Sequence, residues 1–292
     1  MLTIPEAVAA QAAAAAEKSA LLARPAVFAV RSALAGAWVG IGVVIMLTAG
    51  GPLRVEGSVL APLAPLVQGL VFGVALTVVV IGGGELATSA MMVLTQGGLA
   101  RTVRWGRAAV VLLATMLGNL AGAVVWSVVV HLSGLMAPDT PAGGALTAVL
   151  AHKTSETDLQ LLTRGILCNV MVCLAVWMAA RLTSEGARIA VVFACVMVFI
   201  TSGFEHVVAN MTALSLGVLG DVPGVTLGAF ARNMLLVGLG NTIGGAVIVG
   251  AAYAVGSLPK RAGTGAGTAA RSGAGATAGG VPDEERLDAA LA

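Results

Sequence analysis

Charge is what this chain has least of. Asp, Glu, Lys and Arg make up only 10% of its 292 residues, against about 25% in a soluble domain, while 58% are hydrophobic. A water-soluble fold is excluded. Cysteine and histidine are scarce as well, with three of each. Cys168, Cys173 and Cys195 stand inside apolar runs without metal-ligand spacing such as C-x-x-C, so they read as small core residues and no metal is implied. No basic cluster with interleaved aromatics is present, which argues against nucleic acid as a partner. Paired catalytic groups, a nucleotide-binding motif and any sign of a cofactor or prosthetic group are also missing, so an enzyme is disfavoured. No cleavable signal peptide is apparent, because the alanine-rich stretch from Ile4 to Ala23 carries Glu6, Glu17 and Lys18. That stretch reads instead as an amphipathic surface helix.

Long apolar runs are what the chain does have. A bilayer's hydrocarbon core takes about 20 mostly apolar residues to span as a helix. Such runs lie at Ser32 to Gly51, Pro62 to Gly84, Ala108 to Val130, Ile166 to Ala180, Ile189 to Phe204 and Gly228 to Gly256. The expectation is an all-α integral membrane protein of six crossings. Its 39 glycines fit closely packed helices, since small residues let backbones approach in lipid. The second and fifth runs each meet an ionisable site, Glu85 or Glu205-His206, and then resume as a shorter apolar piece. Both look like broken helices. The chain divides into an N-terminal amphipathic helix (1–25), a six-helix membrane domain (26–258) and a Gly/Ala/Ser/Thr-rich tail (259–292) whose composition cannot build a core.

Cytoplasmic loops accumulate Lys and Arg. With the N-terminus inside, the inner connections hold Lys18, Arg24, Arg31, Arg101, Arg104, Arg107, Arg181, Arg188, Lys260 and Arg261, and the outer ones only Arg54, Lys153, Arg164 and Arg232. Both termini are therefore expected in the cytoplasm. The halves also resemble each other: Leu117-Gly118-Asn119 followed by Gly122-Ala123-Val124 recurs as Leu239-Gly240-Asn241 followed by Gly245-Ala246-Val247. Three crossings per half is an odd number, so the halves would be inverted in the membrane. Inverted repeats with interrupted helices at matching positions point to a transport site near the midplane.

An ionisable side chain at the bilayer centre costs at least about 2.5–3.5 kcal/mol on insertion scales, so it must face a cavity or a partner. Glu85, Glu205 and His206 are such residues, and His206 is the single histidine inside an expected span. A break leaves half-helix N-termini whose unpaired N–H groups and positive dipole ends favour an anion. His206 beside it could donate a hydrogen bond or a proton, or could be a core histidine bonded to a neighbour's carbonyl. Thr88 could supply a matching hydroxyl or merely pack the helix. A carboxylate exposed in an anion path would repel the solute, so Glu85 and Glu205 are expected to be structural, accepting hydrogen bonds from the freed backbone N–H groups.

Three segments carry a resemblance: Arg164 to Met178 (RGILCNVMVCLAVWM), Ser202 to Thr212 (SGFEHVVANMT) and Gly84 to Ser89 (GELATS), with the glycine-rich Asn233 to Gly250 matching as well. Over about Ile4 to Tyr253 the chain resembles the formate/nitrite transporter family, its nitrite-channel branch most closely. The resemblance implies a homopentamer of aquaporin-like protomers in the inner membrane, each with its own pore, although neither break has the Asn-Pro-Ala motif of an aquaporin. It further implies an apolar constriction of Phe72, Leu76 and Leu86, another of Val172 and Phe199, a central His206 with Thr88 and a partner asparagine, Asn169, and a vestibule lysine, Lys153. Ala87 departs from the family pattern, which usually has an aromatic there. The expected solute is a small monovalent anion, nitrite by the likeness of Ala209-Asn-Met-Thr212 and Ala35 to Gly42, with formate, hydrosulfide or another small monocarboxylate as the alternative. Its permeation would depend on protons exchanged at His206.

Overall fold

The computed structural model describes residues 1–257. The tail expected at 259–292 lies outside the described residues. Every regular element is helical, with no strand among the described residues. In chain order these are α1 (Ile4–Leu21), α2 (Pro25–Gly50), α3 (Ala64–Ile81), α4 (Ala87–Leu99), α5 (Trp105–Leu132), α6 (Pro141–Ser155), α7 (Asp158–Arg181), α8 (Glu185–Thr201), α9 (Val207–Leu219) and α10 (Leu227–Thr242), the last continuing through a π-helical stretch Ile243–Ala251 into α11 (Ala252–Val255).

Local sequence explains the boundaries. Thr3 and Glu6 form a capping box on α1, and Thr157 and Gln160 form one on α7. Thr140, Ser184 and Thr226 accept backbone N–H bonds at the starts of α6, α8 and α10. Glycine ends α3 and α8 in the same way: Gly83 (φ +71°) and Gly203 (φ +69°) sit in the left-handed region that L side chains avoid, and both chains turn there.

Five helical stretches are long and apolar enough to cross a membrane: Pro25–Arg54, Ala61–Ile81, Trp105–Leu132, Asp158–Arg181 and Leu227–Val255. These correspond to the first four expected runs and the sixth. The expected fifth, Ile189 to Phe204, is met by the 17 residues of α8, which begins earlier, at Glu185, and stops at Thr201. Outward on α5, Leu113, Leu117, Val125 and Val129 are exposed at helical spacing, an apolar stripe suited to hydrocarbon.

The packing is glycine-dependent. A Cβ on Gly36 or Gly122 would strike the backbone of the partner helix where α2 crosses α5, and one on Gly240 or Gly244 would do so where α10 crosses α7. These close crossings bring α2, α3, α5, α7, α8 and α10 into one bundle around α4 and α9. α9 is buried at eleven of its thirteen positions. α1 lies against α4 and is tied at its start by Leu2 N–H to the Arg181 carbonyl (2.9 Å), and along its length by Thr102 Oγ1 to the Ala12 carbonyl (2.7 Å).

Candidate functional site

The site is built where the chain leaves α3 and α8 without continuing as helix. From Gly82 to Leu86 and from Ser202 to His206 it runs non-helically before α4 and α9 begin. The two segments make the same backbone bonds. Glu85 N–H donates to the Arg31 carbonyl and Glu205 N–H to the Arg164 carbonyl, each at 3.2 Å.

Each segment is then closed by one buried asparagine. Asn119 Nδ2 donates to the carbonyls of Ser32 (2.7 Å) and Glu85 (2.8 Å), and its Oδ1 accepts from Ala87 N–H (2.9 Å). Asn241 repeats this with the carbonyls of Gly165 (2.7 Å) and Glu205 (2.9 Å) and with Val207 N–H (2.9 Å). A neutral amide suits the task because it donates twice and accepts once without a charge to desolvate. These are the asparagines of the Leu-Gly-Asn repeat.

That arrangement corrects the role expected of the glutamates. Neither carboxylate accepts the freed backbone N–H groups. Glu85 is paired with Lys18 of α1. Glu205 accepts from Lys153 Nζ at 2.7 and 2.8 Å and from Asn210 Nδ2 at 2.6 Å, and Asn210 also donates to Asn233 Oδ1 at 2.8 Å. The physical reason is that the freed N–H groups are already taken, those of Glu85 and Glu205 by backbone carbonyls and those of Ala87 and Val207 by the asparagines, so each carboxylate pairs with a lysine instead.

His206 is the N-cap of α9. Its Nδ1 accepts from Ala209 N–H at 3.0 Å, so the hydrogen bonds assign the ring proton to Nε2, which faces Thr88 Oγ1 at 3.1 Å. Its ring stacks on Phe199 with centroids 5.9 Å apart. The imidazole is 4% exposed and Thr88 fully buried. Beside them lies a cavity of about 10 Å³, roughly one water, lined by Phe72, Leu76, Leu86, Val172, Phe199 and His206 together with Val39 and Ala75. Phe72 and Phe199 meet edge to face at 6.0 Å. Toward the face bearing Lys153 opens a far larger pocket of about 430 Å³, lined by Arg54, His152, Lys153, Arg164 and Glu205 among others.

A mouth lined by charged side chains, beside a water-sized apolar cavity with one imidazole, is the layout of a small-solute path, and the sequence likeness says whose. Residues 5–255 match the formate/nitrite transporter family. The chain belongs to that family. It is 41% identical over 229 residues to the nitrite transporter NirC of Escherichia coli (strain K12), covering 77% of this chain and 82% of that one. Among solved structures it is similar to an FNT family ion channel (TM-score 0.80, 38% identity, 86% of this chain and 98% of the other). A pentameric formate channel with formate bound is also similar (TM-score 0.67, 27% identity, 78% and 95%). The family is one of transporters and channels, and this member is a multi-pass membrane protein and a small-anion channel of that family.

In this formate/nitrite transporter, the residues expected at the site fall into place unevenly. His206 and Thr88 meet, and the five apolar residues expected in two constrictions line one cavity beside them. Asn169 does not reach His206. Its Nδ2 donates to the carbonyls of Thr88 (3.1 Å) and Asn241 (2.7 Å), fastening α7 to the start of α4 and to α10. Lys153 does line the pocket, but with its charge matched by Glu205. α6 has no counterpart among the expected apolar runs; its signal in the sequence is Thr140-Pro141, a cap followed by a first-turn proline. Nor does the visible Leu-Gly-Asn repeat by itself mark Asn119 and Asn241 as clamps.

Proposed function

We propose that this chain carries nitrite across the inner membrane through a pore centred on His206. The observation that supports the reading is His206 Nε2 set 3.1 Å from Thr88 Oγ1 on a cavity of about 10 Å³ whose other walls are apolar. A bare anion would have to shed its water to enter so small and apolar a space, at high cost. The donors at Nε2 and Thr88 offset part of that cost, and transfer of a proton to the anion would remove most of it.

The resting tautomer shapes the mechanism. Charging the ring means protonating Nδ1, which must then give up the Ala209 N–H bond that caps α9. Proton exchange with a solute therefore runs through Nε2, with Thr88 as its neighbour. Once Nδ1 is protonated, an anion arriving at the pair accepts the Nε2 proton of the imidazolium and crosses as the neutral weak acid, leaving a neutral ring that is recharged by a proton from solvent.

In this reading α3 with α4 and α8 with α9 are two crossings broken at the asparagine clamps, which brings the total to six in two inverted repeats. The recurrence of every clamp bond supports it. The domain limits follow: α1 as a cytoplasmic surface helix (1–25), the channel (26–258) and a tail (259–292). Both termini face the cytoplasm, Lys153 faces outward, and the assembled form is a homopentamer, as in the similar formate channel. The nitrite assignment draws on the 41% identity to a nitrite transporter. Formate, the ligand of the similar pentameric structure, is the second reading. Uptake of nitrite into proteoliposomes, with formate and hydrosulfide as competitors, decides between them: nitrite flux weakly inhibited by equal formate supports the assignment, and formate flux exceeding nitrite flux refutes it.

A further inference from the structure

The outer pocket is expected to attract anions, yet most of its charge is already spent internally. Of the four cations on that face, Lys153 is bonded to both oxygens of Glu205. Arg164 is paired with Glu156, and Arg232 with Asp158 at 2.6 Å. His152 sits 3.0 Å from the same Glu156 carboxylate. Arg54 alone among these cations has no ionic or hydrogen-bond partner within the described residues, and it lines the pocket from the short helical turn Gly51–Arg54 that follows α2. Its neighbour Glu56 does not line the pocket.

A matched pair presents a dipole whose field falls away quickly, whereas a single uncompensated charge in a concave, low-dielectric mouth focuses potential on arriving ions. We infer that Arg54 is the residue that captures the anion at the outer vestibule, ahead of the Lys153–Glu205 pair. It acts as a positioning residue and takes no part in proton exchange at His206. The inference rests on the anion-channel reading above.

The test is the initial rate of nitrite uptake against external nitrite concentration, at low and high salt, for wild type and Arg54→Gln, Arg54→Lys, Arg54→Glu and Glu56→Gln. Arg54→Gln should raise the half-saturating concentration about 3–10-fold with the limiting rate held within about twofold. Arg54→Lys should restore it, Arg54→Glu should exceed Arg54→Gln, and high salt should erase the difference between wild type and Arg54→Gln. An unchanged half-saturation in Arg54→Gln, a lower limiting rate alone, or the same effect from Glu56→Gln would overturn the capture role while leaving the channel reading intact. Absence of any anion flux in wild type would overturn both.

Discussion

The two non-helical segments, 82–86 and 202–206, make the same backbone bonds and differ in what else holds them. At 202–206 the acidic residue is fixed by a lysine from α6 and by Asn210, which leans on Asn233, and the following N-cap is a histidine that bonds its own helix. At 82–86 the acidic residue has one lysine, from α1, the N-cap is Leu86 with no side-chain cap, and Ala90 stands five residues beyond Glu85 where Asn210 stands five beyond Glu205. The second segment has more side-chain bonds and carries His206. The first has, besides its asparagine, only the lysine from α1. A fixed imidazole needs a rigid cradle, because a shift of even an ångström would change its distance to Thr88, whereas Leu86 contributes only bulk.

Breaking the clamps should cost most. Asn241→Leu orphans two buried carbonyls and one N–H, a loss of about 3 kcal/mol or more, and Asn119→Leu should match it, because the two make identical bonds. Thermal inactivation of the detergent-solubilised protein measures both; a large inequality would end the equivalence of the two clamps.

The lysines should separate the two sites. Lys153→Met leaves a carboxylate that is 3% exposed with amide help only, and breaking such a buried pair costs about 3–5 kcal/mol. Lys18→Met acts on a carboxylate that is 10% exposed and can recruit water, so its cost should be smaller and appear as release of α1, read as faster proteolysis near the N-terminus. Equal stability losses with α1 still protected would show that the first site is not the looser one.

Much of this was legible in the sequence. Low charge and long apolar runs pointed to the membrane class, and the ionisable residues that follow two of those runs fall within the non-helical segments 82–86 and 202–206. Thr88 and His206 could be paired because each follows a break. What was not legible depended on distance along the chain: Lys18 meets Glu85 across 67 residues and Lys153 meets Glu205 across 52. Those separations have no periodicity to read. The Leu-Gly-Asn repeat was visible, but its purpose requires seeing that Asn119 and Asn241 face a break rather than a lipid. α6 was hidden because its Gly- and Thr-containing sequence is too mildly apolar to stand out beside true spans.

Acidity should act on the mouth that bears Lys153 as well as at His206. Burial lifts the Glu156 carboxyl above its ordinary value, Glu205 adds to the rise, and Arg164, Lys153 and His152 oppose it. Glu156 therefore takes up a proton sooner than a free glutamate as external pH falls, and Arg164 loses its counterion. The half-saturating nitrite concentration should drop on acidification, and Glu156→Gln should hold it at the acid-side value throughout. A normal pH response in that variant would dismiss the mouth as a contributor.

The smallest effect expected is common to both sites. Gly83→Ala and Gly203→Ala meet no clash, since nothing lies within 4 Å of the first and only Arg164 Nη1, at 3.8 Å, near the second. Each should cost about 1–2 kcal/mol from left-handed strain alone.

On the proposed reading, anions pass His206 and exchange a proton there. Nitrite uptake into proteoliposomes across a range of pH, comparing wild type with His206→Ala, tests it directly. Saturable flux that rises as pH falls in wild type and is lost, or made independent of pH, in the variant is the predicted result; wild-type flux and pH dependence retained in His206→Ala would contradict it.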